Sequence, residues 1–122
     1  MQETTVDDLA HIQQLWPAFE TRVGLRRRKM YAYVDLQQNT YTACTPVRDG
    51  DDPDELGLRL GTLPGGTFLR GRLIGEPPQL YERIGPAMTQ LQAAAQVDRR
   101  RPLVEYYRRH NEIELWVPIV DH

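Results

Sequence analysis

Arg101-Pro102-Leu103-Val104-Glu105-Tyr106-Tyr107-Arg108-Arg109-His110-Asn111-Glu112-Ile113-Glu114-Leu115-Trp116-Val117-Pro118-Ile119 decides how the chain is read. Two runs of alternating, β-prone residues flank Arg109-His110-Asn111-Glu112, the pattern of an antiparallel hairpin. Side chains alternate across a strand, so Leu103, Glu105 and Tyr107 share one face and Val104 and Tyr106 the other. On the second strand Ile113, Leu115 and Val117 form one face, with Glu114 and Trp116 opposite. One carboxylate therefore stands in an apolar and aromatic row. Either Glu105 lies on a solvated or edge face, as charged residues mostly do, or it faces a partly enclosed aromatic cavity. In the second case an unpaired charge is costly, and a ligand cation or a change of protonation relieves the cost.

The bulk properties narrow the classes around that hairpin. A chain of 122 residues is expected to form one domain over 1–122, large enough for its own core. Apolar residues at 40% and charged residues at 26% fit a soluble globular protein. No apolar run approaches the roughly 20 residues of a membrane helix, so no membrane partner is expected. The opening Met1-Gln2-Glu3-Thr4-Thr5-Val6-Asp7-Asp8 is unlike a secretory signal, which leaves the cytoplasm as the expected location. Cys44 is the sole cysteine, and His11, His110 and His122 follow no metal spacing, so neither a metal nor a cofactor is expected. The net charge of −2, from 15 basic and 17 acidic residues, exerts no general pull toward nucleic acid. The clusters Arg26-Arg27-Arg28-Lys29 and Arg99-Arg100-Arg101 read as solvated loop charge.

Taken in order, Thr5-Val6-Asp7-Asp8 reads as a helix start with a hydroxyl cap. Leu9, Ile12, Leu15, Trp16, Phe19 and Val23 continue at helical spacing, Pro17 predicts a kink or break near residue 16, and Gly24 ends the helix. Strands are expected over 29–36 and 40–47, joined through Gln37-Gln38-Asn39. The segment Arg48-Asp49-Gly50-Asp51-Asp52-Pro53-Asp54-Glu55 has the composition of a calcium loop but not its ligand spacing. Another strand pair is expected over 56–63 and 67–74, around Leu63-Pro64-Gly65-Gly66. Pro77-Pro78 marks a second long helix carrying Leu80, Tyr81, Ile84, Met88, Leu91, Ala94 and Ala95, with a bend at Gly85-Pro86. Helix, two strand pairs, helix and strand pair suggest an internal repeat: an α+β fold with two helices on one face of an antiparallel sheet. The seam between the halves would be a favoured place for a ligand.

Leu15-Trp16-Pro17-Ala18-Phe19, Tyr31-Ala32-Tyr33, Leu63-Pro64-Gly65-Gly66-Thr67-Phe68, Ile74-Gly75, Pro102-Leu103-Val104-Glu105-Tyr106-Tyr107 and residues 112–119 together resemble the GyrI-like small-molecule-binding domains. These domains also form the effector-binding halves of AraC-type and MerR-type transcription activators. The resemblance implies duplicated units of the SHS2 type with a central ligand cleft. It also implies a cleft-facing glutamate at Glu105, surrounded by aromatics, with Trp16, Tyr33, Tyr107, Trp116 and Phe19 as further ligand-binding candidates. Family members usually begin with a strand before the first helix, for which residues 1–5 are barely long enough. The first half would then lack an edge strand, and its unpaired neighbour would offer a route to a homodimer. No helix-turn-helix segment is recognised, so a direct nucleic-acid contact is not expected.

Three functions remain open on these grounds. The leading one is a stand-alone module binding lipophilic, aromatic or cationic small molecules, with Glu105 as counter-charge. The second is a hydrolase, since some relatives by resemblance open reactive cyclopropane-containing natural products with the equivalent glutamate. Glu105 would then be catalytic, acting as a general base. No nucleophilic triad competes, because the chain has no serine and Cys44 has no neighbouring histidine. The third, suggested by the gyrase-inhibitor name, is a protein-interaction modulator using the acidic residues 49–55.

Overall fold

The computed structural model describes residues 1–24, 28–61 and 65–120. Its centre is a hairpin at the position read from the alternation, with β5 (Leu103–Arg109) and β6 (Glu112–Pro118) paired antiparallel. A register shift between Tyr107 and Arg109 precedes the turn. On the other side of β5 lies β2 (Met30–Asp35), antiparallel to it, and β2 forms the second expected hairpin with β3 (Thr40–Cys44). The Asp35 carboxylate caps that turn by accepting the N–H groups of Gln37 and Gln38, while Asn39 takes the left-handed conformation at φ 56°.

The chain opens with a strand, β1 (Gln2–Val6), which corrects the expectation that the first half lacks one. Its β-branched Thr4, Thr5 and Val6 pair antiparallel with β3, and Thr4 and Thr42 join their hydroxyls at 2.7 Å across the pair. At the outer edge of β1, Gln2 and Arg59 form one isolated bridge, exchanging backbone hydrogen bonds of 2.8 and 3.2 Å. The edge on which the route to a homodimer rested is thus filled from within the chain.

Helix α1 (Leu9–Val23) starts later than the Thr5 reading, at Asp8, whose carboxylate accepts the His11 N–H at 2.9 Å. The helix also runs through Pro17 rather than breaking at residue 16. Proline cannot supply the N–H owed to the Gln13 carbonyl; burial of Leu15, Phe19 and Val23 on both sides of it outweighs that loss.

Among the described residues the strand pair expected over 56–63 and 67–74 is not formed. Leu56 closes a short helix, α2 (Pro53–Leu56), capped by the Asp52 carboxylate, and Thr62-Leu63-Pro64 lie outside the described residues, as do Leu25-Arg26-Arg27. Strand β4 (Phe68–Ile74) pairs with β6 instead. Of the second long helix, two pieces form, α3 (Gln79–Glu82) and α4 (Ile84–Ala93), separated at Arg83. Pro86 lacks the donor for Glu82 and fits only in the first turn of a new helix, so the bend falls before Gly85-Pro86.

The six strands run in the order β1-β3-β2-β5-β6-β4. Each half is a β-α-β-β unit, and the two meet at the central β2–β5 pair, so the order reads alike from either end. This is an α+β fold, with helices packed on one face. Phe19, Leu80 and Met88 from the helices meet Ala32, Val34, Leu103, Ile113, Leu115 and Val117 of the sheet in one buried cluster. The other face carries Tyr31 stacked on Tyr106 at 4.5 Å between ring centroids, with Trp116 beside both.

Candidate functional site

Strand alternation turns Leu103, Glu105 and Tyr107 toward the helices. Glu105 lies at the middle of the sheet between Ala32 of β2 and Leu115 of β6, both buried. The residue is 6% exposed. The Tyr41 hydroxyl donates to Glu105 Oε1 at 2.9 Å and the Tyr107 hydroxyl donates to the same oxygen at 2.6 Å. The two phenols are 3.2 Å apart, and Trp16 of α1 donates its indole N–H to the Tyr41 oxygen at 2.9 Å. No lysine, arginine or histidine pairs with Glu105 among the described residues.

Aromatic rings close around this carboxyl. Trp16 meets Tyr107 edge-on at 5.1 Å between centroids, with Phe19 at 6.0 Å and Tyr41 at 6.5 Å from its ring. Tyr81 of α3 also meets Tyr107, at 6.4 Å, and is 48% exposed. Burial pushes the Glu105 carboxyl above its ordinary range; the tyrosine donors offset part of that rise, and the Asp7 carboxylate adds to it. Burial, reinforced by the Glu105 charge, likewise holds the Tyr41 and Tyr107 phenols well above theirs. Chemically the arrangement is a desolvated acid with two hydroxyl donors on one oxygen, under an aromatic wall.

The profile of the Cass2 family, described as integron-associated effector binding protein, matches residues 10–119. The chain belongs to that family. The fold is similar to that of an integron cassette protein from the mobile metagenome of Vibrio cholerae, with a TM-score of 0.70 at 16% identity, covering 98% of this chain and 87% of the other. No curated protein matches.

Within this family member, four of the residues singled out from the sequence come together: Glu105, Trp16, Tyr107 and Phe19. Phe19 is fully buried and backs the Trp16 ring from the core side. Tyr33 and Trp116 do not join them. Both pair with Val104, one residue along β5 from Glu105, and so stand on the opposite face of the sheet. There the Tyr33 hydroxyl donates to Gln2 Oε1, while Trp116 donates to Glu114 at 3.1 Å beneath the Arg70 guanidinium. Sequence reasoning missed Tyr41 and Tyr81 as members of the cage. Tyr41 shared a strand face with Ala43, and Tyr81 stood on the apolar stripe of the second helix, but neither signal names a partner.

Among the described residues no group of three metal-binding side chains gathers. The Cys44 thiol is buried and pushed up to about 12, chiefly by desolvation. No described helix is long and apolar enough to cross a membrane.

Proposed function

We propose that residues 1–122 act as one GyrI-like domain that binds lipophilic aromatic cations, the effector lying over the centre of the sheet between Trp16 of α1 and Tyr81 of α3. The observation that carries this reading is the buried Glu105 carboxyl, which has aromatic neighbours and, among the described residues, no cationic partner. A bound cation supplies the missing counter-charge, and each well-placed ring adds about 0.5–2 kcal/mol of cation–π attraction. A few such contacts with apolar burial suffice for a dissociation constant on the order of micromolar. The domain works in the cytoplasm, and residues 1–122 do not themselves touch nucleic acid.

Tryptophan-fluorescence titration with tetraphenylphosphonium and with neutral triphenylphosphine oxide tests this. Glu105→Gln is expected to weaken the cation roughly tenfold to a hundredfold, the worth of a charged hydrogen-bonding partner, and the neutral compound much less. Equal weakening of both would remove the counter-charge role.

Hydrolysis is a second reading, favoured by the raised Glu105 carboxyl beside two tyrosine hydroxyls. Glu105 would take a proton from water as it attacks a strained electrophile, and a phenol would donate to the developing anion. Mass spectrometry of a cyclopropane-containing electrophile after incubation distinguishes the readings. Unchanged mass leaves a binder; a gain of water that Glu105→Gln abolishes makes an enzyme.

A further inference from the structure

Two donors converge on one oxygen of Glu105. Tyr41 and Tyr107 both give their hydroxyl hydrogens to Oε1, at 2.9 and 2.6 Å. Trp16, by donating to the Tyr41 oxygen, keeps that phenol's hydrogen directed away from itself and toward Glu105. An oxygen that accepts two O–H groups is the carbonyl-like partner of the pair, because protonating it would cost one of those bonds. A proton carried by this carboxyl therefore sits on Oε2.

The groups facing Glu105 explain why a proton belongs there. From β3 and β5 come Tyr41 and Tyr107, both held as neutral phenols. Helix α1 contributes Trp16, backed by Phe19, and α3 contributes Tyr81, which meets the Tyr107 ring; β2 and β6 contribute Ala32 and Leu115. The charged group that acts on it from the β1–α1 connection is Asp7, a second carboxylate, which disfavours ionisation further. A buried carboxyl with a like charge nearby and no cation in contact is cheaper to hold neutral.

We propose that the ligand-free protein holds Glu105 as a neutral acid with its proton on Oε2, and that an aromatic cation binds by taking that proton's place. The exchange balances: the O–H bond of Oε2 breaks, its electron pair stays on the carboxylate, the proton passes to buffer, and the cation's charge replaces it. The same protonated oxygen is a hydrogen-bond donor, so neutral planar molecules bearing an acceptor oxygen form a second effector class at the same place, bound with no proton released. This rests on the cation-binding reading above and adds the proton exchange to it.

Isothermal titration calorimetry in two buffers of unlike ionisation enthalpy at each pH, acetate and piperazine at the acid end and phosphate and Tris toward the neutral end, counts protons directly. With tetraphenylphosphonium, which carries no proton of its own, the wild-type protein is expected to release about one proton at the acid end of a series from about pH 5 to about pH 8. Its affinity rises up to about tenfold per pH unit there and levels off where the free carboxyl ionises. Triphenylphosphine oxide should bind with no release at the acid end and weaken as the pH rises. Tyr107→Phe removes one donor that favours the ionised form, and should move the region of proton release to higher pH. Cation binding that Glu105→Gln weakens, yet with the same heat in both buffers throughout, would overturn the exchange and leave the counter-charge reading intact. Absence of cation binding at every pH would overturn both.

Discussion

The indole N–H of Trp16 and the carboxyl of Glu105 are joined through a single atom, the Tyr41 hydroxyl oxygen, which accepts from the first and donates to the second at 2.9 Å each. A residue on α1 is thereby tied to the middle of β5 by way of β3. Effector contacts at Trp16 and charge at Glu105 are expected to respond together.

Removing that oxygen tests the link. Tyr41→Phe leaves the part-buried Trp16 donor without its acceptor and the buried Glu105 with one phenol. The expected loss is about 1–3 kcal/mol of unfolding free energy, read by urea denaturation. Tyr107→Phe removes the other donor, and the double variant should depart from additivity by roughly 0.5–3 kcal/mol, as groups on one acceptor do. Strict additivity would mean that the two phenols act independently.

Glu105 also leaves a signature in stability against pH. Its native carboxyl binds a proton more tightly than the unfolded one. Between the two values the native state holds more protons, so its contribution is fully present below the ordinary carboxylate value and is lost as pH rises through the raised one. Glu105→Gln has no such slope. The difference in thermal midpoint, variant minus wild type, should therefore grow in the variant's favour from acid toward neutral pH; parallel curves would exclude a raised carboxyl.

Much of this site follows from parity along strands, and what was hidden needed register. Leu103, Glu105 and Tyr107 share a face by alternation alone. Tyr41 joins them because Val34 pairs with both Tyr41 and Leu103, and Tyr33 and Trp116 leave because both pair with Val104; neither pairing is visible locally. The same limit misplaced β4. Leu63-Pro64-Gly65-Gly66 reads as a hairpin turn, but the β4 partner lies some forty residues on in β6, and Leu56 has a cap, Asp52, that starts a helix. At the start of the chain, strand-forming Thr4-Thr5-Val6 runs directly into capping Asp8, and Thr5 can be read either way. Pro17 shows the reverse case: a strong local signal outweighed by burial of Phe19.

Outside the cage, the acidic segment has a structural task that makes its own prediction. Arg28 Nη1 and Nη2 donate to the two Asp51 oxygens at 2.7 and 2.6 Å, with the side chains 4% and 12% exposed. Arg28 also reaches the Val23 carbonyl at the end of α1, so the pair fastens that helix end to the loop. The guanidinium, helped by the Arg48 N–H, holds the Asp51 carboxyl well below the usual range. Its stabilisation is present above the unfolded carboxylate value and is lost as pH falls through the depressed native one. Asp51→Asn should lower the thermal midpoint at neutral pH and flatten the acid limb of the curve. An unchanged acid limb would show that the pair is not formed in solution.

The two tryptophans stand on opposite faces of one sheet, which lets fluorescence decide where an effector sits. Trp16 belongs to the Glu105 cage, whereas Trp116 lies with Tyr31, Tyr106 and Phe68 on the face without helices. Trp116 is moreover held by Glu114 and covered by Arg70, so an approaching cation meets a guanidinium there first. Titrated with tetraphenylphosphonium, Trp116→Phe is expected to keep nearly the whole ligand-induced change at an unchanged midpoint. Trp16→Phe should lose that change, and its affinity, measured by calorimetry, should fall by several-fold as an indole face gives way to a weaker phenyl one. The opposite pattern, with the signal carried by Trp116, would move the site across the sheet to the Tyr31–Tyr106 stack and leave Glu105 with a structural role.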